Sequence, residues 1–251
     1  MFCPHCGKEI AEVQSFCQNC GGRIAGLIPP VHAAFGREKT PWEDREKHGF
    51  SRGLYMTVKK VLFSPSDFYK KMMVSGGIND PLLYGLIIGM IGLISLNFWD
   101  VFLRDALQSF MTPEMKAATG HAVFQGTGSA VTALMTPFVL IGALFIVSGM
   151  LHVFLWMARG AASGFEATFR VVGYSVSPFL FMVIPYFGFP ISLFWTVTLV
   201  IIGLRDAHGT TGGRAAFAVF LPFILFCGLM ALFAILFIGA LTATCGALMR
   251  H

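Results

Sequence analysis

Five long apolar stretches limit what this chain can fold into. They run from about Pro81 to Trp99, Val131 to Met157, Phe169 to Phe187, Pro190 to Leu204 and Ala215 to Leu241. About 20 such residues, wound as a helix, cross the ~30 Å of hydrocarbon in a bilayer. Composition agrees: 55% of the residues are hydrophobic and 12% charged, against roughly a quarter charged in an ordinary soluble domain. The expected fold class is therefore an all-α polytopic membrane protein with five transmembrane helices. Gly188, Phe189-Pro190 and Pro185 predict a tight turn that makes the third and fourth stretches a helical hairpin. The fourth stretch is short, so a re-entrant hairpin would leave four full spans.

Five spans make the distribution of basic residues a test of topology. Of the 18 Lys and Arg, 11 precede Pro81. Arg159, Arg170, Arg205 and Arg214 fall in the two later loops on the same side, which leaves Arg104, Lys116 and Arg250 for the other. Basic residues favour the cytoplasmic side, so the N-terminus is expected inside and the C-terminus outside. The segment from Asp100 to Ala130 becomes an external loop with a short helix after Thr112-Pro113-Glu114. No basic and apolar leader precedes the first cysteines, which agrees with a cytosolic N-terminus. The expected location is the cytoplasmic (inner) membrane. The net charge of +5 is accounted for by this topology, and a nucleic-acid partner is unlikely: Lys8, Arg23 and the linker cations are interleaved with Glu9, Glu12 and Glu43, which leaves no sustained basic face.

The chain divides into a cysteine module at 1–22, a linker at 23–52, amphipathic helices at 53–76 and a membrane domain at 77–251. In the linker the charges around Pro41-Trp42-Glu43-Asp44-Arg45 largely cancel, and it reads as a partly disordered tether with Trp42 as a residue that could dock. Leu54, Val58, Val61 and Leu62 share one helical face opposite Lys59 and Lys60, which suits a helix at the membrane surface, although Met56 lies on the wrong face. A buried helix of the soluble type is the alternative. Ser64-Pro65-Ser66-Asp67 supplies an N-cap, a proline at the first helical position and an acid at the third, so a second short helix should start there.

The strongest chemical signal is the pair of C-x-x-C-G knuckles, Cys3-Pro4-His5-Cys6-Gly7 and Cys17-Gln18-Asn19-Cys20-Gly21. Each tight turn offers two thiolates to one ion, and two turns complete a closed tetrahedral site for structural zinc. Iron in the same ligands and a redox dithiol are the competing readings, and His5 is a turn residue. Cys227 and Cys245 lie 18 residues apart, ~27 Å along one helix, too far for a disulfide.

Ionisable residues are scarce within the spans, and His152 is the main exception. It reads as a histidine bonded to a neighbouring helix, with a proton relay as the alternative. Pro137, Pro178 and Pro222 interrupt helices, which can make a kink or shape a cavity. Gly85, Gly89 and Gly92 form a flat strip for helix packing, inside one protomer or against a second copy. Ser148-Gly149 lacks the preceding glycine of a G-x-S-x-G elbow, and the chain has no H-E-x-x-H motif. No enzyme is expected.

The ordered series Pro41-Trp42-Glu43-Asp44-Arg45, Val61 to Tyr69, Pro81-Leu82-Leu83, His152 to Phe169, Tyr174-Ser175-Val176-Ser177-Pro178, Ile184-Pro185, Ile202-Gly203-Leu204-Arg205 and His208-Gly209 resembles prokaryotic Yip-family membrane domains, over roughly residues 41 to 240. A zinc ribbon is a familiar companion of that domain. The resemblance implies five spans and a cytosolic N-terminus. Eukaryotic members are associated with Rab-type GTPases, vesicle trafficking and membrane shaping, and the ribbon stands here where they carry a longer cytosolic region. The family offers no catalytic residues to carry over. The function expected is a membrane scaffold or adaptor whose ribbon engages a cytosolic protein. The alternative is a transporter, channel or lipid-handling protein with a path between kinked helices.

Overall fold

The computed structural model describes residues 6, 8, 19, 20, 36–110, 112 and 130–248. Cys3, Cys17 and most of the expected external loop, including the helix after Thr112, lie outside the described residues. Three short helices come first: α1 (Arg45–His48), α2 (Phe50–Phe63) and α3 (Pro65–Lys71). The bundle follows, with α4 (Asn79–Phe110), α5 (Ala130–Met157), α6 (Gly164–Tyr174), a 3-10 helix (Ser177–Val183), α7 (Gly188–His208) and α8 (Gly212–Leu248).

Among the described residues, four helices are long and apolar enough to cross a membrane: Asn79–Leu103, Leu134–Met157, Gly188–His208 and Gly212–Ile235. The third apolar stretch differs, being divided between α6 and the 3-10 helix. Pro178 lacks the N–H that would bond Tyr174 O, and hydroxyls take up the carbonyls that the break releases, whereas Pro137 and Pro222, also expected to interrupt helices, stay inside α5 and α8. Ser177 Oγ donates to Tyr174 O at 2.7 Å and Ser192 Oγ to Pro178 O at 2.6 Å. The broken element lies at the centre, with α4, α5 and α7 around it, and every residue from Ala167 to Tyr174 is buried.

The broken element runs beside α4 from the level of Gly77, whose N–H donates to Glu166 Oε1 at 2.6 Å, to that of Trp99, whose indole N–H donates to Val183 O at 2.9 Å. It also runs antiparallel to α7, with Ser163 Oγ bonded to Ala207 O at 2.9 Å near one end and Ser192 bonded to Pro178 further along. Ile184 to Phe187 form the turn into α7, which ends at Gly209 in the left-handed conformation.

Ser64, the expected N-cap, precedes α3 with Pro65 in its first turn. The apolar face of α2 turns inward onto protein: Val61 and Leu62 are buried, and Leu54 and Val58 are half-buried against the same core. Outward, α2 presents Phe50, Tyr55 and Phe63 together with Lys59 and Lys60.

The glycine strip of α4 is closed by the same chain. A Cβ at Gly85 would meet Gly173 O and Leu144, one at Gly89 would meet Leu140 at 2.6 Å, and one at Gly92 would lie 2.6 Å from Phe179 O. That face is filled by α5, α6 and the 3-10 helix and is not open to a second copy.

Candidate functional site

The linker enters the bundle. Glu38 pairs with the chain after α3 through Glu38 N–H to Lys71 O (2.8 Å) and Met73 N–H to Glu38 O (3.2 Å). Trp42 is 0% exposed. Its main-chain N–H donates to Thr57 Oγ1 at 3.0 Å and its indole N–H to Asp80 O at 2.8 Å. Tyr84 and Phe50 meet its ring edge-on, and the Arg45 guanidinium lies 4.2 Å from its centroid. Gly53 permits this approach, since a Cβ there would be 2.6 Å from Pro41 O.

Beside Trp42, Glu43 makes a buried ion pair with Arg170 of α6. Tyr174 O–H donates to the same carboxylate at 2.6 Å, and the Thr40 N–H to its other oxygen at 3.0 Å. The guanidinium also donates from Nε to Met73 O (2.7 Å) and from Nη1 to Gly77 O (2.9 Å). Both charges are thus paired and hydrogen-bonded, which is the condition for burying them. Arg170 was expected in a loop. It is instead two turns into α6 and 1% exposed, because Glu43 neutralises it there. Two further bonds close the site, Tyr69 with Ser175 at 2.8 Å and Tyr84 with Ser177 at 2.7 Å. Burial raises the Tyr69 phenol well above its ordinary range, against a smaller opposing effect of Ser175. Arg37 reaches from the linker to Met72 O and Ala207 O, and burial lowers its pKa.

A family model for the Yip1 domain matches residues 59–243, and one for a zinc-ribbon domain matches residues 2–24. The chain belongs to the Yip1-domain family. No curated protein and no solved structure matches it. The Yip1 domain thus begins within α2, and the linker that carries Trp42 and Glu43 lies upstream of the matched region while packing into it.

At the same end of the Yip1 domain, His152 is bonded to a neighbouring helix, its Nδ1 lying 2.9 Å from Thr168 Oγ1 on α6. Thr168 is 3.0 Å from His208 Nε2, and Ser163 N–H donates to His208 Nδ1 at 3.1 Å. An accepting Nδ1 leaves the proton of neutral His208 on Nε2, so His208 donates to Thr168, whose hydroxyl also bonds His152. The order Ser163, His208, Thr168, His152 ties α5, α6 and α7 together.

Of the four ribbon cysteines, Cys6 and Cys20 are among the described residues. Asn19 Nδ2, from the second knuckle, lies 3.8 Å from Cys6 Sγ in the first. An amide donor directed at a knuckle sulfur fits a thiolate-bound metal. Among the described residues no group of three or more His, Cys, Asp or Glu converges.

The sequence left the Glu43–Arg170 pair unread. The available signal was Arg170 itself, a guanidinium one residue inside an apolar stretch, which implies an acidic partner.

Proposed function

We propose that this protein is a non-enzymatic Yip-type scaffold or adaptor of the cytoplasmic membrane, whose zinc ribbon docks a cytosolic protein close to the bilayer. The carrying observation is the anchorage of the linker through Trp42 and Glu43. It ties whatever the ribbon captures to the centre of the membrane domain. From Cys20 to Gly36 there are 16 residue steps, and at ~3.5 Å per extended residue the ribbon's partner stays within roughly 55 Å of the anchor.

In this reading the broken α6 and 3-10 element counts as a crossing, giving five spans, an inside N-terminus and an outside C-terminus. Its support is the run of contacts that accompanies α4 from Gly77 to Trp99, ~33 Å of helical rise. Cys3, Cys6, Cys17 and Cys20 hold the zinc, which would supply the folding free energy of a module too small to own a core. The scaffold reading is favoured over a transport path because Glu43, Arg170, His152 and His208 are all engaged with protein partners.

Proximity labelling from the N-terminus tests the proposal. A specific cytosolic protein should be enriched, and the enrichment should vanish in a Cys17→Ser, Cys20→Ser variant that still reaches the membrane. Equal enrichment in both would show that the ribbon does not recruit.

A further inference from the structure

The bundle contains a cavity of about 510 Å³ among α4, α5, α6, the 3-10 helix and α7. Its walls are mostly apolar, with Val139 and Ala143 on α5, Val172 and Val176 on and just beyond α6, and Val200 on α7, and the polar residues among them are Asn97, Thr136 and Thr196. Such a space does not hold water well, because a water needs two to four polar partners. Its size is within the ~300–1,000 Å³ of sites that take one small ligand. The walls α5 and α7 do not pack extensively on each other. The helix that touches both, α8, buries Ala215 and Ala218 near its start, while its side chains from Phe223 to Ile235 are exposed. The open flank therefore faces the hydrocarbon of the membrane.

An apolar lining that opens toward hydrocarbon calls for a slender, apolar occupant.

We propose that the cavity binds one acyl chain of a membrane phospholipid, entering sideways between α5 and α7. The site is independent of the ribbon and of the scaffold reading.

The test uses the full chain in phosphatidylethanolamine and phosphatidylglycerol vesicles that contain a trace of phospholipid with a photoreactive diazirine on one acyl chain. After illumination, the label should be several-fold denser on Val139, Ala143, Thr196 and Val200 than on the lipid-facing residues Phe223 to Leu229. Ala143→Trp and, separately, Val139→Phe should remove that excess while leaving the α8 label unchanged, which also reports correct insertion. Equal labelling of cavity and α8 in the unmutated protein would overturn the proposal, as would an excess that survives both filling substitutions. Cross-linking of Ala143→Cys to a second copy, with no lipid label at the site, would assign the cavity to self-association instead.

Discussion

Glu43 and Arg170 form a buried ion pair whose members differ greatly in how they read in sequence. Glu43 is one acid in a charge-balanced linker, and its partner is 127 positions away, so nothing local marks it. Arg170 within an apolar stretch was visible, and its placement in a loop failed because one neutralising carboxylate allows it inside the helix. Removing one partner of a buried pair costs about 3–5 kcal/mol, while replacing both with apolar groups is often neutral. Glu43→Ala should therefore lower the thermal midpoint of the detergent-solubilised protein strongly, and Glu43→Leu with Arg170→Met should recover most of the loss. Tyr69 offers a pH test. Its pKa is raised in the folded protein by burial, so its stabilisation is complete below the unfolded value of about 10 and is lost as pH rises beyond it toward the folded value. The alkaline fall of the midpoint should be shallower in Tyr69→Phe, and an unchanged slope would exclude Tyr69 as its source.

Elements were legible where one periodicity or cap determined them. The long apolar runs became α4, α5, α7 and α8, and Ser64-Pro65 opened α3. The break at Tyr174 to Pro178 was less legible: proline does not by itself end a helix, as Pro137 and Pro222 show, and the 3-10 continuation depends on hydroxyls donating to the freed carbonyls, one from Ser177 nearby and one from Ser192 on α7. The glycine strip was legible as a packing face, but its partner was not, since small residues state how close a neighbour comes and not which neighbour. Gly92 abuts main chain at Phe179, which cannot swing aside as a side chain can. Gly92→Ala should accordingly destabilise the fold by about 1–3 kcal/mol and leave the particle mass unchanged in lipid nanodiscs. A drop in mass with stability intact would return the strip to an intermolecular role.

For the whole molecule, the basic residues Arg159, Arg205 and Arg214 converge at the end that carries α1 to α3. Arg214 reaches Arg159 O at 3.3 Å, and Arg205 reaches Ser66 on α3 at 3.1 Å. Three of the basic residues expected on the cytoplasmic side thus lie at one end of the bundle. Single cysteines at Lys70 and Lys116 in an otherwise thiol-free chain should consequently label from opposite sides of the membrane. Metal stripping should separate the two domains: Cys17→Ser should abolish bound zinc, measured by elemental analysis, without lowering the bundle's unfolding midpoint, because the core begins at Trp42. The linker anchor also imposes a chronology. Glu43 leaves the ribosome 127 residues before Arg170, which at ~5–20 residues per second is roughly 6–25 s of synthesis. Until the third apolar stretch has been made, the carboxylate has no guanidinium to meet, and the linker is held through Trp42 and Glu38 on residues 50 to 84. A nascent chain stalled before Arg170 would therefore carry its ribbon on a half-made mooring, with Glu43 left for water to solvate.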